Sequence, residues 1–278
     1  MTSTSGKRSV LRTWLLLAWL LATAALAWTG LRAGWVQVPE RWNPWAPLHF
    51  DETPNLLTQY KLARAAGDPA LCRATLAQAR LRYTPIEDQR TAPGCGFDNA
   101  IRIARSSVAV GEPFALSCRA ALSLAMWERH VLQQAATAYL GQEVAAIEHF
   151  GSYSCRNLYG REGARRSRHA TADALDIAGF VLADGKRIRL VNDWKPADPA
   201  PPAGREAGHR DGSRGDDVRS STTGGGSGAG PATPDPAGFL REVRDGACRY
   251  FDVVLGPDYN QAHADHFHLD RGGGRACR

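Results

Sequence analysis

Three of the chain's eight histidines, His263, His266 and His268, fall within the segment HADHFHLD. Six residues separate a fourth, His169, from Asp176 in SRHATADALD. Neutral imidazole and ionised carboxylate both donate lone pairs to a borderline cation such as zinc, so a bound metal is the first chemistry this pattern suggests. Side chains two apart on a strand share a face, and HFHL read as a strand sends His266 and His268 into one pocket. The apolar run ALDIAGFVL reads as a buried strand presenting Asp176 at its start. His169 and Asp176 would then supply one ligand pair and the distant cluster a third ligand. Three protein ligands with an open position describe a catalytic zinc, whereas a closed shell of four describes a structural one. Histidines that merely hydrogen-bond in a polar cleft are the competing reading.

The elements that must position these residues read as α+β, with helices first and a small antiparallel sheet carrying the site. Asp68-Pro69 is a cap followed by proline at the first helical position and predicts a helix to about Arg82. A longer helix is expected from Ser117 to Leu140, with Leu124, Val131, Leu132, Ala135 and Tyr139 facing inward and Gly141 as its stop. His130 on that helix reads as an ordinary surface or half-buried residue. Asp184-Gly185 suits a two-residue turn, so ALDIAGFVL and KRIRLV read as a β-hairpin. A further helix, roughly Pro236 to Cys248, leads into YFDVVLGP and then HFHLD, both read as strands.

Residues 13–31 form an uncharged apolar run of about the ~20 residues that cross a bilayer. Lys7, Arg8 and Arg12 precede it, which by the positive-inside rule leaves the amino terminus in the cytoplasm and exports the body. A signal peptide cleaved at the small residues Ala25-Leu26-Ala27 is the alternative, although the apolar run exceeds the usual signal core. The chain thus divides into a cytoplasmic stub and transmembrane anchor over 1–34, a Pro- and Trp-rich tether over 35–50 and one domain over 51–278. Within that domain, residues 196–237 carry hardly any large apolar side chain and much Gly, Pro, Ser and Asp. They read as a disordered insertion, which leaves His209 out of the site.

Six cysteines without a C-x-x-C pair fit disulfides in an oxidising compartment better than a zinc ribbon. Proximity in sequence suggests Cys72 with Cys95, Cys118 with Cys155, and Cys248 with Cys277. The net charge of +6 is scattered rather than gathered in a stripe, so no nucleic-acid interface is expected. A mild attraction to anionic wall polymer or lipid head groups is the most that this charge supports. The oligomeric state is not legible in the sequence.

GSYSCRN at 151–157, SRHATADALDIAGF at 167–180, FLREVRDGACRYF at 239–251 and VLGPDYNQAHADHFHLD at 254–270 resemble the bacterial extensin-like C-terminal domain family. That family is in turn similar to zinc peptidases that include D-Ala-D-Ala carboxypeptidases, the penicillin-insensitive murein endopeptidase, lysostaphin and hedgehog domains. Ser167, His169, Ala174 and Asp176 fit their S-x-H-x-x-G-x-A-x-D element, with Ala172 where glycine is usual. The resemblance implies a Zn2+ cofactor with His169, Asp176 and His268 as ligands. It also implies Arg156 as the group on an oxyanion or substrate carboxylate, against a plain salt bridge as its other reading. His266 suits proton transfer from water to the leaving amine, since imidazole as a side-chain type ordinarily titrates near ~6.5. Asp265 competes for that role, but strand alternation points it away from His268. His263 either assists at the rim or orients a neighbour. Ser167 is expected to cap the His169 loop. Arg168 and Asp173 depart from the family pattern.

The function expected is a single-pass protein of the bacterial inner membrane whose periplasmic domain is a zinc peptidase of the D,D-carboxypeptidase or murein endopeptidase type. Its partner would be peptidoglycan or another cell-wall peptide. A non-catalytic cell-wall-binding module that keeps the pocket is the second reading. A disulfide-stapled scaffold without metal is the third.

Overall fold

A computed structural model describes residues 5–32, 37–195 and 234–278. The expected insertion at 196–237 lies almost wholly outside the described residues, as does His209. The first helix, α1, spans Ser5–Arg32, and its stretch Arg12–Gly30 is long and apolar enough to cross a membrane. A signal sequence near an amino terminus meets the same description.

The body is mixed α+β, and its strands begin earlier than the sequence suggests. After α2 (Thr58–Gly67) and α3 (Pro69–Leu76) come β1 (Arg82–Pro85), β2 (Gln89–Ala92), β3 (Cys95–Phe97), β4 (Ala100–Arg105) and β5 (Phe114–Ser117). These form a three-stranded sheet in the order β1-β4-β5 and a β2-β3 ribbon. Helix α3 does not run on to Arg82. Its end is closed by short bonds from the Gln78 and Ala79 amides to the Thr75 and Leu76 carbonyls, which tighten the last turn and stop it. Its start is as expected, with the Asp68 carboxylate accepting from the Ala70 and Leu71 amides.

The long helix expected from Ser117 is built in three pieces: α4 (Cys118–Trp127), a π turn over Glu128–Leu132, and α5 (Gln133–Leu140). Ser117 caps it, and Gly141 ends it in the left-handed region at φ 67°. Leu124, Val131, Leu132 and Ala135 are buried as expected. Tyr139 is not inward: it is 37 % exposed, because its ring covers the first turn of α7 at Gly238 instead of entering the core. His130 is half-buried.

The larger sheet follows, with β6 (Val144–Gly151), β7 (Ala174–Leu182), β8 (Arg187–Arg189), β9 (Val253–Leu255), β10 (Phe267–Asp270) and β11 (Ala276–Cys277). Its order is β11-β9-β10-β7-β6, with β8 also paired to β7. The hairpin at Asp184-Gly185 forms, but KRIRLV is strand only to Arg189. Leu190 and Val191 turn into α6 (Leu190–Asp193), where the Asp193 carboxylate takes the Arg189 amide. Helix α7 (Pro236–Ala247) opens on the Asp235 cap followed by proline, as the sequence predicts. It packs on the sheet through Phe239, which meets Phe180 edge-on at 5.2 Å, and the Trp127 indole donates to the Val243 carbonyl at 2.9 Å.

Two further expectations are corrected. The segment before residue 51 is no loose tether where it is described, because Ala46, Leu48 and Phe50 are buried. Lys61 Nζ donates to the Glu40 carbonyl and Arg64 to that of Ala46, so a buried lysine and a half-buried arginine pin this segment down. Of the disulfides, only Cys248–Cys277 pairs as proximity suggests. The others are Cys72–Cys118, joining α3 to α4, and Cys95–Cys155, joining β3 to the loop after β6.

Candidate metal centre

Asp176 is the third residue of β7, and His268 lies directly opposite it on β10. Residues directly opposed on antiparallel strands project from the same face, so the register itself brings this carboxylate and imidazole together. His169 arrives separately, on a 3-10 turn at Arg168–Thr171 capped by Ser167, whose hydroxyl accepts the His169 amide at 3.3 Å. The turn ends at Ala172, in the left-handed region at φ 53°, a conformation that glycine adopts without strain. Below it, buried Asp173 accepts from Arg119 at 2.7 Å and its carbonyl takes the Arg271 amide. That pairing accounts for the acid at this position.

One donor atom each from His169, Asp176 and His268 lies within 4.8 Å of the other two. His169 Nε2 is 3.1 Å from both Asp176 Oδ2 and His268 Nδ1, and His268 Nδ1 is 2.9 Å from Asp176 Oδ1. The opposite nitrogen of each ring is occupied. His169 Nδ1 donates to the Ser152 carbonyl at 2.6 Å, and His268 Nε2 to Asp270 Oδ2 at 3.1 Å. Each ring is thereby oriented with its other nitrogen facing the cluster, the outer support that metal-binding histidines ordinarily receive. The donor set therefore fits a cation such as zinc by chemistry and convergence.

Charge around the cluster is strongly coupled. Burial alone would raise Asp176, but the hydrogen bonds and charges of His169 and His268 hold it well below the usual carboxylate range. Burial alone would depress His268, yet Asp176 and Asp270 raise it to about 9. His263 is lowered to about 4, first by burial and then by its neighbours His268 and His266. It is neutral at pH 7, with Nδ1 2.7 Å from Asn260 Oδ1 and its ring edge-on to Tyr159 and Tyr259.

His266 immediately precedes β10 rather than lying within it, but it still enters the same pocket. Its Nε2 points to Asp176 at 3.6 Å and its Nδ1 lies 2.9 Å from Asp265 Oδ1. Asp265 faces the neighbouring depression and reaches the cluster only through His266. Arg156 stands at the pocket mouth, 4.0 Å from Asp176 Oδ2. The structure thus brings together His169, Asp176, His263, His266, His268 and Arg156 around a pocket of about 690 Å³, with Asp265 behind.

Three contributors went unread in the sequence. Asp270 lies two residues beyond His268, and the period-2 argument that joined His266 to His268 would have included it. The Ser152 carbonyl carries no such signal, because a backbone acceptor has no residue type, and Asn260 falls outside the strand whose period was read.

An α+β domain stapled by disulfides, with a convergent His/Asp cluster, is the class defined so far. Residues 70–208 and 227–278 match the family described as extensin-like protein C-terminus. The match covers most of the chain, and the chain belongs to that family. Neither a curated protein nor a solved structure gives a significant match.

Proposed function

We propose that this protein is a zinc peptidase that hydrolyses an amide bond in peptidoglycan peptides, held by α1 in the bacterial inner membrane with its domain in the periplasm. The observation that carries the reading is the inward convergence of His169 Nε2, Asp176 and His268 Nδ1, each ring locked from behind. Zinc held there supplies Lewis acidity to a water and to the substrate carbonyl. The protein's own groups do the rest. His266 Nε2, directed at the cluster and backed by Asp265, takes the water proton and returns it to the leaving amine. Arg156 at the mouth stabilises the oxygen that gains charge on the attacked carbonyl. Neutral His263 fixes the wall beside His266, their rings 5.2 Å apart.

The test joins metal analysis to digestion of purified peptidoglycan. Near-stoichiometric zinc that is lost in His169→Ala and His268→Ala, with new fragments from wild type and none from His266→Ala, is the expected result. A wild type without zinc under non-chelating conditions overturns the metal site. Zinc and wall binding without fragments makes the protein a binding module.

A further inference from the structure

Arg156, Arg165, Arg166, Arg168 and Arg275 all line the pocket that holds the histidine cluster. The carboxylates lining it are those of Asp176 and Asp270, and both are turned to imidazoles. Arg166 is held only by neutral acceptors, the Pro93 carbonyl and Asn157 Oδ1. Among the described residues no carboxylate forms an ion pair with Arg165, Arg168 or Arg275. Like charges gathered in a concave site raise its potential and attract an anion, and a guanidinium fork matches a carboxylate bidentately.

Arg168 is the most constrained of the group. It precedes His169 directly, is half-buried, and rests its guanidinium on the face of Gly273. A Cβ built at Gly273 would collide with that guanidinium. Gly273 is not in the left-handed region, so what glycine provides there is room for Arg168 and not a special backbone.

We propose that the pocket selects an acidic peptide, and that Arg168 on its Gly273 berth, with Arg165 and Arg275 on the rim, binds a free carboxylate remote from the amide that is cut. Arg156, nearest the cluster, is left to the reacting carbonyl. The word peptide rests on the proposed peptidase function, whereas the need for a free carboxylate rests on the arginines alone.

The experiment uses zinc-loaded full-length protein in detergent and two synthetic stem peptides that differ only in whether their side carboxylates are free or amidated. Affinity is measured by calorimetry, and cleavage separately by chromatography. Wild type is expected to bind the free acid about tenfold more tightly, the scale of one charge-assisted contact. Arg168→Gln should abolish that preference by removing the charge. Gly273→Ala should do so by displacing Arg168, and it meets only the flexible end of that side chain, so the fold is kept. Equal affinity of wild type for both peptides, or a preference that survives in both variants, overturns the inference. Tighter binding of a glycerol-phosphate oligomer than of the acidic peptide also overturns it. Cleavage of both peptides at equal rates supports the peptidase and overturns the carboxylate requirement. Selective binding without cleavage supports the requirement and overturns the peptidase.

Discussion

His268 stands between two carboxylates, with Asp176 on the nitrogen that faces inward and Asp270 on the one that faces away. Only the first would be given up to a cation, so the two acids have separable roles. Asp270→Asn should weaken zinc binding by roughly 10–100-fold, the usual effect of losing a residue that orients a ligand. Competition with a chelator measures it, and unchanged affinity would mean that Asp270 is only structural. Asp265→Asn should keep the metal and slow turnover of wall peptides, since it touches His266 and not the cluster. Of the converging trio, the pair His169 and Asp176 was legible from residue type and spacing and His268 from the family resemblance, because these signals are local in sequence. The orientation of His263 by Asn260 was not, because it depends on how a 3-10 turn at Gln261–His263 happens to lie.

At the scale of elements, the π turn begins on Glu128, a buried acid. Its Oε2 accepts from the Ser107 amide and hydroxyl, while Oε1 has no partner among the described residues. Burial raises its carboxyl above the ordinary 4.5, although Ser106 and Ser107 oppose the shift. A carboxyl with a raised folded pKa stabilises fully below the unfolded value, and that contribution is lost as pH rises through the folded one. Wild type should therefore lose stability between about pH 4.5 and neutrality relative to Glu128→Gln. Urea midpoints at the two pH values decide it, and parallel pH dependence in both proteins would refute it. Ala172 poses a different balance, because its left-handed backbone costs about 1–2 kcal/mol while its buried methyl packs near Phe97 and Tyr153. Ala172→Gly should thus change stability by under about 1 kcal/mol, whereas Ala172→Val, branched at a positive φ, should lower the melting temperature clearly. The long helix after Ser117 and the continuous apolar run of β7 were visible in sequence. Strand β2 was not, since all four of its residues are exposed and no face alternates.

For the whole molecule, Cys72–Cys118 and Cys95–Cys155 join what the fold brings together rather than what the chain order brings close. Cys95 on β3 meets Cys155 because β3 packs against the turn that carries His169, a contact that proximity in sequence cannot show. Replacing Cys95 and Cys155 by serine opens a loop of 60 residues and should lower stability by about 4 kcal/mol on the chain-entropy estimate. Denaturant unfolding tests this. An unchanged midpoint would show that the bridge adds nothing to the packing around it. The proposed anchoring predicts that the mature protein keeps residues 1–27 and stays with membranes after an alkaline wash. A mass that shows cleavage after Ala27 would make α1 a signal sequence instead.

Asp176 and His268 occupy opposite rungs of the β7-β10 ladder. A slip of β10 by one residue would put Phe267 or Leu269 on that rung and the imidazole on the other face. With zinc bound as proposed, chains that mispair these strands would lack the converged donors, and mass action would favour the correctly paired ones. Metal should raise the fraction of correctly paired protein on refolding, and equal fractions with and without metal would refute this.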